Sequence, residues 1–271
     1  NTLVVAISQS GETMDTLMAV RYASERGAKV LSICNTQGAT LARESNATIY
    51  THAGPEVAVA STKAFSAQIT AGYLLALFLA KALGKTDQVA KVGKELSTLP
   101  RKVKKTLEMI GDVKALAEEL KNIESVLFLG RNVGFPIAME GALKLKELSY
   151  IHAEGFAAGE LKHGPIALVE AGQVVIVIVP SPSAEENLHA KVLANIQEIN
   201  ARGAEVIAIA EAGDVEVADY AKRVFYTPKT LPLLSPVLSV VPLHIFSMEL
   251  AKAKGLDVDQ PRNLAKSVTV E

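Results

Sequence analysis

Apolar and polar positions follow two rhythms along this chain: short continuous apolar runs, and longer segments with helical spacing. Residues 2–7 (TLVVAI) are an apolar run of strand length, of the kind buried on both faces of a parallel sheet. A Ser/Gly turn follows, and residues 13–26 then place Leu17, Val20 and Ala23 on a helical repeat. The pattern predicts strands at 29–33 and 47–50, a short helix at 40–44 and a long apolar helix at about 59–83. Between about 85 and 122 charge is dense and the helical spacing breaks at Pro100, which predicts connecting helices on a solvated surface. A second unit opens with a strand at 125–129 and a helix from about 135 to 150. Residues 173–179, 204–210 and 223–226 supply three more strands, with helices between them and a further helix at 236–253. Strands separated by helices imply crossovers and mainly parallel sheets flanked by helices, a three-layer α/β fold.

The two halves also match each other. Arg26-Gly27-Ala28-Lys29-Val30 and Arg202-Gly203-Ala204-Glu205-Val206 each lead from a helix end into a strand. Each is followed by a short helical segment, a strand ending in Tyr-Thr, a Pro-containing loop and a long helix. The second copy has a strand and helix ahead of its 173–179 strand, whereas the first copy starts the chain with the equivalent strand. The expectation is a first unit lacking its opening strand and helix, with an unpaired sheet edge as the consequence.

Length and composition narrow the classes. A chain of 271 residues suits two compact units, and a formal net charge of −1 gives no electrostatic reason to expect nucleic acid or an anionic membrane surface. The single cysteine, Cys34, cannot pair internally, which favours a reducing cytoplasmic setting and excludes paired-cysteine zinc. Two uncharged stretches, 64–80 and 230–248, raise the question of membrane insertion. The first is short of a span and carries Ser66, Gln68 and Thr70; the second holds Pro232, Pro236 and Pro242, which would break a spanning helix. Both are expected as core helices and loops, and no signal segment is visible.

Four segments carry candidate chemistry. Ser8-Gln9-Ser10-Gly11-Glu12-Thr13 is a strand-to-helix turn whose hydroxyls and helix-start amides suit a phosphate, with Gly11 permitting close backbone approach. Ordinary helix capping accounts for the same residues. No Walker lysine or G-x-G-x-x-G is present, so neither nucleotide is favoured. On the predicted helix at 135–150, Lys144 and Glu147 are three apart and share a face, as a proton-moving pair or as a surface ion pair. His163, between Lys162 and Gly164-Pro165, is a reachable loop imidazole or a bland one. Lys266 lies in an otherwise uncharged stretch of the terminal segment, where partial desolvation would make it a nucleophilic amine, although such a segment is ordinarily a frayed tail. His52, His152, His189 and His244 show no metal-ligand spacing, and neither metal nor cofactor is expected.

With these motifs assembled, the chain resembles the sugar-isomerase half of the glucosamine-6-phosphate synthase family, the glutamine–fructose-6-phosphate aminotransferases. The resemblance rests on SQSGET (8–13), ASTKAF (60–65), EGALKLKE (140–147), YIHAE (150–154), GELKHGP (159–165) and the terminal DQPRNLAKSVTVE. It implies two tandem SIS (sugar isomerase) domains, at 1–95 and 96–254, and a C-terminal active-site tail at 255–271. It implies that Ser8, Gln9, Ser10 and Thr13 hold the phosphate of fructose 6-phosphate, and that Val59, Ser61 and Ala265 contact the sugar. Glu147 would move a proton between C1 and C2, assisted by Lys144. His163, from the neighbouring subunit of a homodimer, would open the ring, and Lys266 would form an imine at C2. Ammonia would come from a glutaminase domain of the full-length polypeptide, which these residues do not supply. A stand-alone glucosamine-6-phosphate deaminase and a non-catalytic sugar-phosphate-binding module remain open alternatives at this point.

Overall fold

The structure, a computed structural model, describes residues 2–267. Two compact units form, one from residues up to Ala90 together with those from Asp259 onward, the other from Lys91–Val258. In the first, β1 (Leu3–Ser8), α1 (Met14–Glu25), β2 (Lys29–Cys34), α2 (Thr40–Glu44), β3 (Ala47–Tyr50) and α3 (Lys63–Ala82) follow one another, and α4 (Thr86–Leu96) leads out. The three strands are parallel in the order β1-β2-β3, with Leu3 opposite Lys29 and Leu31 opposite Ala47. Ala6 and Val30 pack with Leu17 and Val20 of α1 and Leu41 of α2. Helical spacing at 17 and 20 puts both side chains on one face of α1, which is why that helix docks where it does.

Two expectations for this unit need correction. The 2–7 run was expected to be buried on both faces, yet β1 is an edge strand whose Leu3, Val5 and Ile7 are exposed while Ala6 is buried. It pairs with β2, and no described element covers its second face. Likewise, the 64–80 stretch was expected as a core helix, but α3 buries Ala64 and Ala71 and leaves Leu74, Phe78 and Leu79 exposed. Apolar composition marks what a helix can bury; the sheet beneath it decides what it does bury. The helix also starts at Lys63 rather than 59, since Pro55 and a carboxylate described below keep the preceding loop irregular.

The second unit continues with α5 (Leu99–Met109), α6 (Val113–Leu120), β4 (Ser125–Gly130), α7 (Gly134–Ser149), β5 (His152–Ala157), β6 (Val174–Ile178), α8 (Leu188–Asn200), β7 (Glu205–Glu211), β8 (Arg223–Thr227) and α9 (Ser235–Ala253). Its five parallel strands run β5-β4-β6-β7-β8. All five residues of β6 are buried, as a central strand flanked on both faces requires. β5 escaped the sequence reading because HAEGFA is a mixed, half-exposed edge strand with no apolar run. The charged 85–122 segment is not merely a solvated surface: Leu99, Val113, Leu116 and Leu120 are buried, and α5 and α6 pack on α9.

Pro242 does not break its helix. α9 runs unbroken through it, with Pro236 in the first turn where no N–H is required. The lost ladder bond at Pro242 is offset by the deep burial of Leu238, Val240, Leu243 and Phe246. By length and composition alone, Lys63–Ala82 and Pro232–Ala253 could each cross a membrane, but 67% of the most apolar window of the latter is buried in the fold.

At the end of β4 a Cβ on Gly130 would sit 2.1 Å from the carbonyl oxygen of Gly134, where α7 begins. Backbone cannot yield as a side-chain tip can. Gly130→Ala should therefore lower stability by about 3 kcal/mol, the upper part of the overpacking range. An unchanged urea midpoint would refute this close approach.

Candidate functional site

The turn after β1 is held by its own hydroxyls. The Gly11 N–H donates to Ser8 Oγ at 2.9 Å and the Glu12 N–H to Ser10 Oγ at 3.2 Å. An accepting hydroxyl keeps its own proton to donate, so both serines stay competent toward an anion. Thr13 occupies the N-cap position of α1 without a side-chain cap bond. Gly11 has a φ of +68°, and a Cβ there would lie 2.6 Å from Ala39 Cβ and 2.8 Å from Cys34 Sγ, so the turn also needs glycine to pack against the end of β2 and the residue that precedes α2. Glu12 Oε1 accepts the Thr40 N–H at 2.7 Å, which fixes the turn to the start of α2 and holds that carboxyl below the usual range. Cys34 is buried, and burial pushes its thiol up, away from nucleophilic use.

Beside this turn opens a cavity of about 560 Å³, within the usual range for small-molecule sites. Gln9, Asn35, Thr36, His52, Glu56 and Lys266 are on its walls. Asn35 shapes it: its amide donates to the Gly54 carbonyl, and its side-chain oxygen accepts from Thr51 Oγ1 and the Ala53 N–H, each at 2.9 Å. This pins the 51–54 loop, where His52 takes a left-handed φ of 51°. Lys266 Nζ donates to the Ala58 carbonyl at 2.7 Å and to Glu56 Oε2 at 3.2 Å. Two further links fasten the terminal segment, from the Val59 N–H to the Asp259 carbonyl at 2.9 Å and between the Ser267 and Ser10 hydroxyls at 3.2 Å.

Glu56 is 4% exposed in its side chain. Its Oε1 accepts the Thr62 N–H at 2.8 Å, and its Oε2 accepts the Ser61 hydroxyl at 3.2 Å. Burial alone would push the carboxyl up, but the Thr62 N–H and the Lys266 ammonium outweigh it and hold it below the ordinary range.

A second cluster lies in the other unit. On α7, Lys144 Nζ is 2.5 Å from Glu147 Oε2 and 3.7 Å from Glu140 Oε1. His244 Nε2 of α9 is 3.0 Å from that same Glu140 oxygen. The side chain of Lys144 is 4% exposed and that of Glu147 22%, so this is a buried ammonium between two carboxylates, not a surface pair. Glu147 is the member of the cluster with the most solvent access.

Comparison with known proteins decides the family. The SIS domain matches residues 1–78 and 119–252. The chain belongs to the SIS domain family. It is 65% identical, over its whole length, to the glutamine–fructose-6-phosphate aminotransferase (isomerizing) of Leifsonia xyli, and it spans 44% of that protein. The C-terminal domain of the Francisella tularensis glucosamine-fructose-6-phosphate aminotransferase superposes with a TM-score of 0.90 at 39% identity, over 96% of this chain and 73% of that one. The Thermotoga maritima glucosamine-6-phosphate deaminase gives a TM-score of 0.72 at 26% identity, over 99% of this chain and 75% of that one.

In this SIS chain the expected residues fall into distinct places. Gln9 and Lys266 line one cavity. Ser8, Ser10 and Thr13 form the turn beside it, while Val59 and Ser61 lie in the loop that holds Lys266 and Glu56. Ala265 is exposed in the terminal segment, and residues 268–271 of the tail motif lie outside the described residues. His163 is not in a free loop: it ends a 3₁₀ turn, Ala158–His163, and is exposed. Glu12, Asn35, Glu56, Glu140 and His244 were not foreseen. An acidic residue following two hydroxyls, or a lone Glu in a Pro-containing loop, carries no periodic signal that singles it out.

Lys144→Met would leave the buried Glu140 and the partly exposed Glu147 without their shared cation, and should cost about 3 kcal/mol, as breaking buried pairs does. Lys105→Met, at a pair more than half exposed, should leave the urea midpoint unchanged within error. Equal effects would contradict the burial argument. The lowered carboxyl of Glu56 sets a second expectation. Its contribution to stability is fully present above the ordinary carboxylate pKa and is lost as pH falls through the lowered one. Glu56→Gln should flatten the acid limb of a thermal-melt profile; an unchanged limb would count against that ionisation.

Proposed function

We propose that this chain is the sugar-isomerase half of a glutamine–fructose-6-phosphate aminotransferase, converting fructose 6-phosphate to glucosamine 6-phosphate. The observation that carries the reading is the placement of the Lys266 amine in one cavity with the Ser8–Thr13 turn through Gln9. A ketose phosphate needs an anion anchor and, a short sugar chain away, an amine able to reach its carbonyl. The turn supplies hydroxyls for the phosphate, and Lys266 condenses with C2 to give a protonated imine. That imine draws electron density more strongly than a carbonyl and so acidifies the C1 proton. Glu147 moves the proton between C1 and C2, and Lys144 offsets the charge that develops on the neighbouring oxygen. His163 opens the furanose ring from the other subunit of a homodimer.

The two family-matched segments, one in each unit, are proposed as tandem copies of one SIS fold. Ammonia is assigned to a glutaminase domain of the full-length polypeptide, in keeping with the glutamine in the relatives' name and with the 44% of their length that the chain spans. A cytoplasmic setting suits a lone, buried thiol. The deaminase reading is the weaker one, resting on 26% identity against 65%.

The test is exchange in deuterium oxide. With fructose 6-phosphate the chain should introduce solvent deuterium at C1 or C2, and with added ammonium it should form the amino sugar phosphate. Glu147→Gln should slow exchange by about 100-fold or more, the usual weight of a general base. Exchange at the parent rate would remove Glu147 from this role. Ammonia release from glucosamine 6-phosphate without any synthesis would favour the deaminase, and tight binding without turnover would favour a binding module.

A further inference from the structure

Of the polar groups around the cavity, Glu56 is the carboxylate in contact with the Lys266 nitrogen, and the function proposed above gives it no task. Its surroundings define one. The side chain is buried, and every contact it makes favours the ionised form: the Thr62 N–H at 2.8 Å and the Thr62 hydroxyl at 3.3 Å on Oε1, the Ser61 hydroxyl and the ammonium, both at 3.2 Å, on Oε2. The Ala64 N–H adds a longer contact at 3.4 Å. The carboxylate therefore sits at the start of α3, where amides and the helix dipole both stabilise negative charge. A group that must act as a base needs affinity for a proton; this one has been built to refuse it.

Granted the imine reading above, we propose that Glu56 is the counter-ion of the Lys266 nitrogen, first for the resting ammonium and then for the protonated imine. The condensation balances without a proton passing to Glu56. The ammonium and the C2 carbonyl give a protonated imine and one water; the C=N bond forms as the C=O bond breaks. Two of the three ammonium protons leave in that water, and the third stays on nitrogen, so one positive charge stands on each side. In the resting site Lys266 donates to the Ala58 carbonyl as well as to Glu56, with the Val59 carbonyl at 3.5 Å. Once a single N–H remains, the charged acceptor is the favoured partner. A carboxylate that stays ionised keeps the imine protonated, and only a protonated imine is a strong electron sink. The lowered range of the Glu56 carboxyl accords with this.

The other titratable groups around it are His52 on the cavity wall and Lys63, whose ammonium donates to the Pro55 carbonyl at 2.6 Å. Neither bonds to Glu56, so a pH effect lost on Glu56→Gln belongs to Glu56 itself.

The test uses the whole chain with fructose 6-phosphate and cyanoborohydride, which reduces protonated imines, and reads the adduct on the Lys266 peptide by mass spectrometry from pH 6 to 9. Wild type should label Lys266. Glu56→Gln should label at least about 10-fold more slowly, as expected when a charge-assisted contact is lost, and the upper pH limit of labelling should fall. Glu56→Asp, which keeps the charge one methylene further back, should lie between them. Labelling of Glu56→Gln at the wild-type rate with the wild-type pH limit would overturn the proposal. If that variant does not fold, as judged by circular dichroism, Glu56→Asp decides, and a pH limit identical to wild type overturns it. No adduct on wild type would fell the imine reading itself, a distinct outcome.

Discussion

One buried carboxylate joins two stretches of the first unit that are remote in sequence, residues 56–62 and the terminal segment at Lys266. Glu56 caps the start of α3 through the Thr62 N–H, fixes the Ser61 hydroxyl and holds the Lys266 ammonium, which belongs to the far end of the chain. Remove that charge and each of the three loses a partner. The loop from 51 to 62 has no regular structure to hold it, so its shape depends on polar anchors, Asn35, Glu56, Lys63 and Lys266 among them. The cavity is therefore a product of side-chain contacts laid over a rigid sheet end, and the sheet contributes position rather than chemistry.

The parallel topology explains why the chemistry gathers where it does. In a parallel sheet every strand ends on the same edge, and the turns that lead into the helices collect there. In the first unit the ends of β1 and β2 bring Gln9 and Asn35 together, although 26 residues separate them (35 minus 9). Glu12 then bonds across to Thr40, so the two turns are braced against each other before any ligand arrives. That bracing matters for the proposed phosphate site, because a site made of short hydroxyls has no long, adaptable side chain to chase its target.

Much of the fold was legible because periodicity reports burial. The strands β2, β3, β6, β7 and β8 announce themselves as apolar runs, and α1 and α7 by their spacing. The failures share a cause: a sequence records what a segment could bury, not what stands next to it. β1 and β6 have similar apolar runs, yet β6 is buried throughout and β1 bares Leu3, Val5 and Ile7. The apolar 64–80 stretch misled in the same way, and Pro242 misled in the opposite one, since deep packing overrode a local helix breaker. In the site, hydroxyl-rich turns and the Lys144–Glu147 spacing were readable as motifs. Glu56, Asn35 and His244 were not, because each acts through a contact made only in three dimensions.

The two lysine–carboxylate clusters solve opposite problems with the same parts. Lys144 is 4% exposed and sits between two carboxylates, with His244 bonded to one of them. An ammonium so enclosed is hard for a bound molecule to reach. Lys266 is 28% exposed and faces one carboxylate and neutral carbonyls. It can be approached by a carbonyl carbon, and its bonds to Ala58 and Val59 cost little to exchange for bonds to water. Exposure and the number of opposing charges thus accord with the two roles proposed for these lysines, one offsetting charge and the other entering covalent chemistry, where the sequence showed merely two lysines in uncharged or mixed surroundings.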